Sequence, residues 1–170
     1  MHEPAPAALE VPLERIVAGL HAVAPAFGRA ETIDLGRPTS LLLVKNPAGA
    51  NEVLRTLALE GEQLDLLGVL NDRIADGRDV SWVWDADWEL LAGRVRRMTC
   101  AGTRAAELAL RLKYAGVPPE RLHVVPGLPA ALDAARADGD GPLYALPTYT
   151  ALLALRDLLA ERGHVTGHWR

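Results

Sequence analysis

The chain has 170 residues, 49% of them apolar and 24% charged, with a net charge of −4. This is the balance of a globular protein with one substantial core. The acidic total and the absence of any basic run longer than RVRR (94–97) argue against nucleic acid as a partner. No apolar run approaches the roughly 20 residues of a membrane span.

The N-terminus, MHEPAPAALE, lacks the charged-then-apolar pattern of a signal peptide, so a cytoplasmic location is expected. Apolar residues at 13, 16, 17, 20 and 23 predict a helix over 11–23, broken by Pro25 and Gly28. A short edge strand is expected at 31–35. The uninterrupted apolar run at 40–46 reads as a buried strand. A helix follows at 47–60, with Asn51 or Gly49 near its start. Further strands are expected at 64–72, 94–100, 121–127 and 142–148. Between them come helices at 103–116, stopped by Gly116 and Pro118, and at 128–138, before a DGDG turn. A closing helix spans 149–163, ended by Gly163.

Strands alternating with helices of this length predict an α/β fold: a Rossmann-like, mostly parallel sheet with helices on both faces. Ligands in such sheets gather beyond the carboxyl ends of the strands. Three polar clusters fall there: KNPAG (45–49), the ND…ADGRD stretch from 71 to 79, and CAGTR (100–104). In the first, Lys45 and the opening of a helix can attract a phosphate or carboxylate. The plainer reading is a helix-initiating turn, since Asn46 precedes Pro47. In the third, Thr103 can cap the helix and Arg104 can grip an anion as a fork, or simply stand exposed. Cys100 is a candidate nucleophile for a small Rossmann-like enzyme, but no histidine is near it in sequence, and a buried apolar role suits it better. The HVTGH tail sets His164 and His168 at a zinc-ligand spacing, yet glycines interrupt it, so no metal site is expected. The phosphate-cradling GxxxxGK[ST] pattern is absent.

The segment NDRIADGRDVSWVWDADWELL (71–91) mixes carboxylates with indoles. The spacing of Asp72, Asp76 and Asp79 is wrong for a calcium loop. Asp79-Val80-Ser81 suits a helix cap or an Asx turn. Asp79 can also serve as an orienting carboxylate for a histidine, although this chain shows no nucleophile–histidine pair for it to serve. Trp82 and Trp84 fit either a partner interface or packing against their own domain.

Taken together, LLLVKNPAGANEVLRTL, LNDRIADGRDVSWVWDADWELL, GTRAAELALRLKYAG and LPTYTALLALR resemble the C-terminal domain of MurT, the Mur-ligase-like subunit of lipid II isoglutaminyl synthase. The resemblance covers roughly residues 11–160. It implies a Mur ligase C-terminal α/β domain over 29–170. Residues 1–28 would then be an N-terminal helix left from a preceding central domain. It implies an ATP-dependent carbon–nitrogen ligase with glutamine as amido donor, amidating the D-glutamate α-carboxylate of lipid II in peptidoglycan synthesis. ATP and Mg would be bound mainly outside this chain, so the isolated domain is expected to be inactive. The implied partner is a GatD-like glutaminase, whose cysteine–histidine site receives an aspartate from this domain. That role maps first onto Asp79, with Asp76 and Asp72 as fallbacks. Lys45, Asn46, Asn71 and Arg104 would help close over substrate or nucleotide, and Trp82 and Trp84 would face the partner. A stand-alone module that binds a glutaminase without ligase activity is the alternative.

Overall fold

A computed structural model describes residues 29–60, 63–137 and 139–165. The helix expected at 11–23, the proposed remnant at 1–28 and His168 lie outside the described residues. Six strands form one sheet: β1 (Arg29–Asp34), β2 (Pro38–Leu42), β3 (Leu64–Val69), β4 (Val95–Ala101), β5 (Leu122–Val124) and β6 (Leu143–Pro147). Their order across the sheet is β1-β2-β6-β3-β4-β5. β1 pairs antiparallel with β2 at the edge, and all other neighbouring strands run parallel. Among the described residues the α-helices are α1 (Pro47–Leu57), α2 (Ala105–Tyr114), α3 (Leu128–Arg136) and α4 (Tyr149–Glu161).

The strands partition the core because successive side chains point to opposite faces. In β3, Leu66 joins one apolar cluster with Leu54 of α1, Leu108 and Leu112 of α2, and Trp88. Its neighbour Leu67 joins the other, with Leu132 of α3 and Leu152, Leu155 and Leu159 of α4. Every residue of β3 is buried, so it reads as a continuous apolar run rather than an alternating one. The single charge in it, Asp65, sits at its start and is ion-paired to Arg37 at 2.5 Å and Arg96 at 2.6 Å. That pairing is at the edge of the sheet opposite to the polar clusters. It supplies the partners that a buried carboxylate requires.

The strands are shorter than their apolar runs: β2 ends at Leu42 and β5 keeps only Leu122–Val124. The start of α1 agrees with the helix-initiating turn expected at Asn46-Pro47. Its cap is Asn46: the extended residue accepts the Gly49 amide at 2.8 Å, and Pro47 opens the first turn. Asn51 accepts the amide of Asp87 at 2.8 Å, tying α1 to the tryptophan segment.

The connection from β3 to β4 has no α-helix. It is built from three short 3₁₀ turns, Ile74–Asp76, Ser81–Trp84 and Trp88–Leu91. Val83, Trp88 and Leu91 pack this connection onto the face that carries α1 and α2. The chain leaving β6 enters α4 on the opposite face. Connections from the adjacent strands β3 and β6 therefore diverge, which opens a crevice at their carboxyl ends.

Candidate functional site

The crevice is braced by Asn71, a buried residue just after β3. Its backbone amide donates to Thr148 Oγ1 at 3.2 Å, its Nδ2 donates to Thr150 Oγ1 at 3.0 Å, and its Oδ1 accepts the Thr103 amide at 3.1 Å. One side chain thus joins the ends of β3, β4 and β6. Gly102 makes this approach possible. With φ at +91°, it adopts a conformation that L side chains avoid, and a Cβ there would meet the Leu70 carbonyl and lie 2.7 Å from Asn71 Oδ1.

The three aspartates after β3 have different environments. Asp72 accepts the Thr103 hydroxyl at 2.8 Å and Arg104 Nε at 2.8 Å. The Thr103 hydroxyl, then the Arg104 guanidinium, hold its carboxyl below the usual range. Asp76 uses both oxygens on Thr150, accepting the amide at 2.7 Å and the hydroxyl at 2.5 Å. Asp79 is exposed and accepts the Ser81 amide at 2.8 Å in an Asx turn. That backbone hydrogen bond lowers its pKa and keeps it ionised.

Two expectations at CAGTR change. Thr103 does not cap α2, which begins at Ala105, because its hydroxyl is committed to Asp72. Arg104 is already held by Asp72 at 2.8 Å and Glu107 at 2.6 Å. It nonetheless lines an open depression of about 670 Å³, together with Asp72, Arg73, Ile74, Ala75, Arg78 and Thr150. Cys100 is fully buried in the core, and burial pushes its thiol up to about 12. The thiolate that nucleophilic chemistry needs is therefore suppressed, which removes the reading of Cys100 as a nucleophile. Lys45 and Asn46 are both exposed at the carboxyl end of β2, with Asn46 occupied as the cap.

The tryptophans divide by role. Trp88 is 1% exposed and donates its indole N–H to the Val83 carbonyl at 3.0 Å. Trp82 is half-buried and packs against the core. Trp84 is 49% exposed and meets Tyr114, itself 70% exposed, at a centroid distance of 5.9 Å and a tilt of 54°. Sequence patterning passed over Tyr114, the Asn71–Thr148–Thr150 brace, and Arg111 beneath Trp84. Arg111 falls at helical spacing among apolar residues of α2, and that position was the one available sign that it turns inward.

A mostly parallel sheet flanked by helices, with polar side chains gathered at the strand carboxyl ends, defines a Rossmann-like α/β domain. Solved structures similar to it share the fold. Folylpolyglutamate synthase from Thermotoga maritima matches with a TM-score of 0.61 at 21% identity, over 92% of this chain and 36% of that one. The Mycobacterium tuberculosis folylpolyglutamate synthase complexed with ADP matches at 0.59 and 23%, over 88% and 35%. The model of the MurT ligase C-terminal family matches residues 43–152, and the chain belongs to that family. The lipid II isoglutaminyl synthase (glutamine-hydrolyzing) subunit MurT of Streptococcus pneumoniae (strain ATCC BAA-255 / R6) is 37% identical over 138 residues, 80% of this chain and 31% of the relative. The subunit of the same name from Staphylococcus aureus (strain COL) is 39% identical over 135 residues, 78% and 30% respectively. The chain thus spans about a third of the length of these relatives.

Proposed function

We propose that this chain is the C-terminal domain of the ligase subunit of a glutamine-dependent amidotransferase, one that converts the D-glutamate of lipid II to D-isoglutamine in peptidoglycan synthesis. In this reading the domain binds a GatD-like glutaminase and lends it Asp79. The observation that carries the assignment is the contrast among the three aspartates. Asp72 and Asp76 have both carboxylate oxygens engaged within the domain, while Asp79 is exposed and ionised. An ionised carboxylate can accept the N–H of a histidine from another subunit. It then fixes the tautomer and steadies the imidazolium that forms when the histidine takes a thiol proton.

ATP would supply an acyl phosphate on the substrate carboxylate. The residues here suit closure over such a ligand rather than its primary cradle. At α1 the Gly49 amide is already taken by Asn46, and the depression beside β3 is open and carries Arg73, Arg78 and Arg104 on its walls. ATP and Mg would then be bound mainly outside this chain, and the domain alone should neither hold ATP tightly nor amidate. Lys45 and the arginines would meet the anionic reactants from the carboxyl edge of the sheet. Trp84, with Tyr114 beside it, offers an aromatic contact of the sort that anchors protein partners.

The test is to purify the complete polypeptide carrying this domain with its cognate glutaminase and introduce Asp79→Asn. Complex formation should survive while glutamine hydrolysis falls on the order of 10⁴-fold. Hydrolysis unchanged in Asp79→Asn but lost in Asp72→Asn or Asp76→Asn would transfer the role; unchanged hydrolysis in all three would end the proposal.

A further inference from the structure

Between β3 and β4, residues 70–94 carry only short 3₁₀ turns, so local hydrogen bonding alone does not set their shape. One side chain from outside the segment takes over much of that task. Arg111 of α2 is 4% exposed. Its Nε donates to the Val83 carbonyl at 3.1 Å, and one terminal nitrogen donates to the Ala86 carbonyl at 2.9 Å and to the Glu89 carboxylate at 3.0 Å. Its guanidinium carbon lies 5.5 Å from the centroid of the Trp84 ring, so it also supports the exposed aromatic pair from below. Hydrogen bonds continue from this anchor to Asp79. The Val83 amide donates to the Val80 carbonyl at 3.1 Å, closing the 3₁₀ turn, and the Ser81 amide donates to Asp79 Oδ1 at 2.8 Å.

We infer that Arg111 is a positioning residue: through the Val83 carbonyl and the turn it closes, it holds the Asp79 carboxylate and the Trp84 ring as one rigid surface for the glutaminase. This rests on the proposal that Asp79 serves the partner's histidine. Arg111 touches neither substrate nor histidine and acts only through the segment it holds. Lysine cannot replace it, because a single ammonium cannot span two carbonyls and a carboxylate as the planar fork does. A small displacement of a catalytic carboxylate is costly, since misplacement by about 1 Å can lower a rate 10²-fold.

The experiment uses the complete polypeptide in complex with its glutaminase and reads glutamine hydrolysis for Arg111→Lys, Asp79→Asn and the double variant. Arg111→Lys should lower kcat about 10- to 100-fold with KM for glutamine unchanged. In the Asp79→Asn background it should cost nothing further, because the group it positions is already disabled. Hydrogen exchange should show the Ser81 amide losing protection in Arg111→Lys. Wild-type kcat in Arg111→Lys, or an equal loss in both backgrounds, overturns the inference. If Arg111→Lys does not assemble, Glu89→Gln decides, since it weakens the same clamp from an exposed position. It should show a smaller loss of kcat with the same non-additivity, and additive behaviour counts against the role. If Asp79→Asn alone leaves hydrolysis intact, the parent reading has failed. Exchange at Ser81 then judges Arg111 separately, and retained protection in Arg111→Lys removes its positioning role.

Discussion

Asp76 and Thr150 are joined twice across the crevice, through the Thr150 amide at 2.7 Å and its hydroxyl at 2.5 Å. Thr150 lies in the first turn of α4, where backbone amides have no partner within the helix. The residue at the cap position, Thr148, offers no side-chain cap, because its hydroxyl accepts from Asn71. An aspartate distant in sequence thus performs the capping of α4 and fixes the 3₁₀ turn before Gly77 to the opposite layer. Asp76→Ala should destabilise the domain by about 1–2 kcal/mol, the usual worth of a lost cap. Urea unfolding monitored by circular dichroism measures this, and an unchanged midpoint would contradict the capping role.

Gly102→Ala should be more damaging. It places a side chain at φ +91° and drives a Cβ into the Leu70 carbonyl and Asn71 Oδ1. Backbone strain alone costs about 1–3 kcal/mol, before the clash loosens the Asn71 brace. A larger drop in melting temperature for Gly102→Ala than for Gly77→Ala, which carries the backbone strain alone, would assign the difference to close approach. A Cβ at Gly77, although also at positive φ, meets nothing within 4 Å.

The tryptophans should separate in substitution. Trp88→Ala removes a fully buried ring and should cost about 3–5 kcal/mol. Trp84→Ala, at a half-exposed position, should change stability by less than about 1 kcal/mol while weakening the complex with the proposed glutaminase partner. Thermal unfolding and a binding titration on the two variants distinguish these outcomes. Stability loss without a binding defect in Trp84→Ala would make that ring part of the core.

Cys100 should be inert in the folded protein and reactive once unfolded. Burial raises its pKa from 9.0 to about 12. A folded-state pKa above the unfolded one means that the unfolded chain loses its thiol proton first as pH rises. The contribution to stability is complete below pH 9.0 and is lost as pH climbs toward about 12. Native protein should resist a thiol reagent at pH 8, and Cys100→Ser should flatten the decline in stability across that alkaline window. Fast labelling of the native thiol would refute the burial argument.

Most of the architecture was legible because it depends on patterns that strands and helices impose at short range. The apolar runs at 40–46 and 64–72 announced buried parallel strands, and the punctuation at Gly116 and Pro118 announced the end of α2. The Asn46-Pro47 pair announced the start of α1, and the extended backbone at Asn46 makes that residue its cap. The site was legible as a set of residues at strand ends. Its internal wiring was not: Asp72 to Thr103, Asp76 to Thr150 and Arg111 to Val83 are pairs separated by 31, 74 and 28 positions. No local rule predicts which of several carboxylates finds a distant partner.

By itself the sequence determined the α/β class, the order of strands and helices and the family, since apolar periodicity and motif order are written in consecutive residues. It also put forward Asp72, Asp76 and Asp79 as candidates for the carboxylate proposed to serve a partner. The tertiary structure decided their separate circumstances. It set Asp72 against Arg104, spent Asp76 on the start of α4, and left Asp79 exposed on a segment held by Arg111. The physical reason is that a side chain's availability depends on which donors surround it, and those donors come from elements brought together only when the sheet closes its two cores.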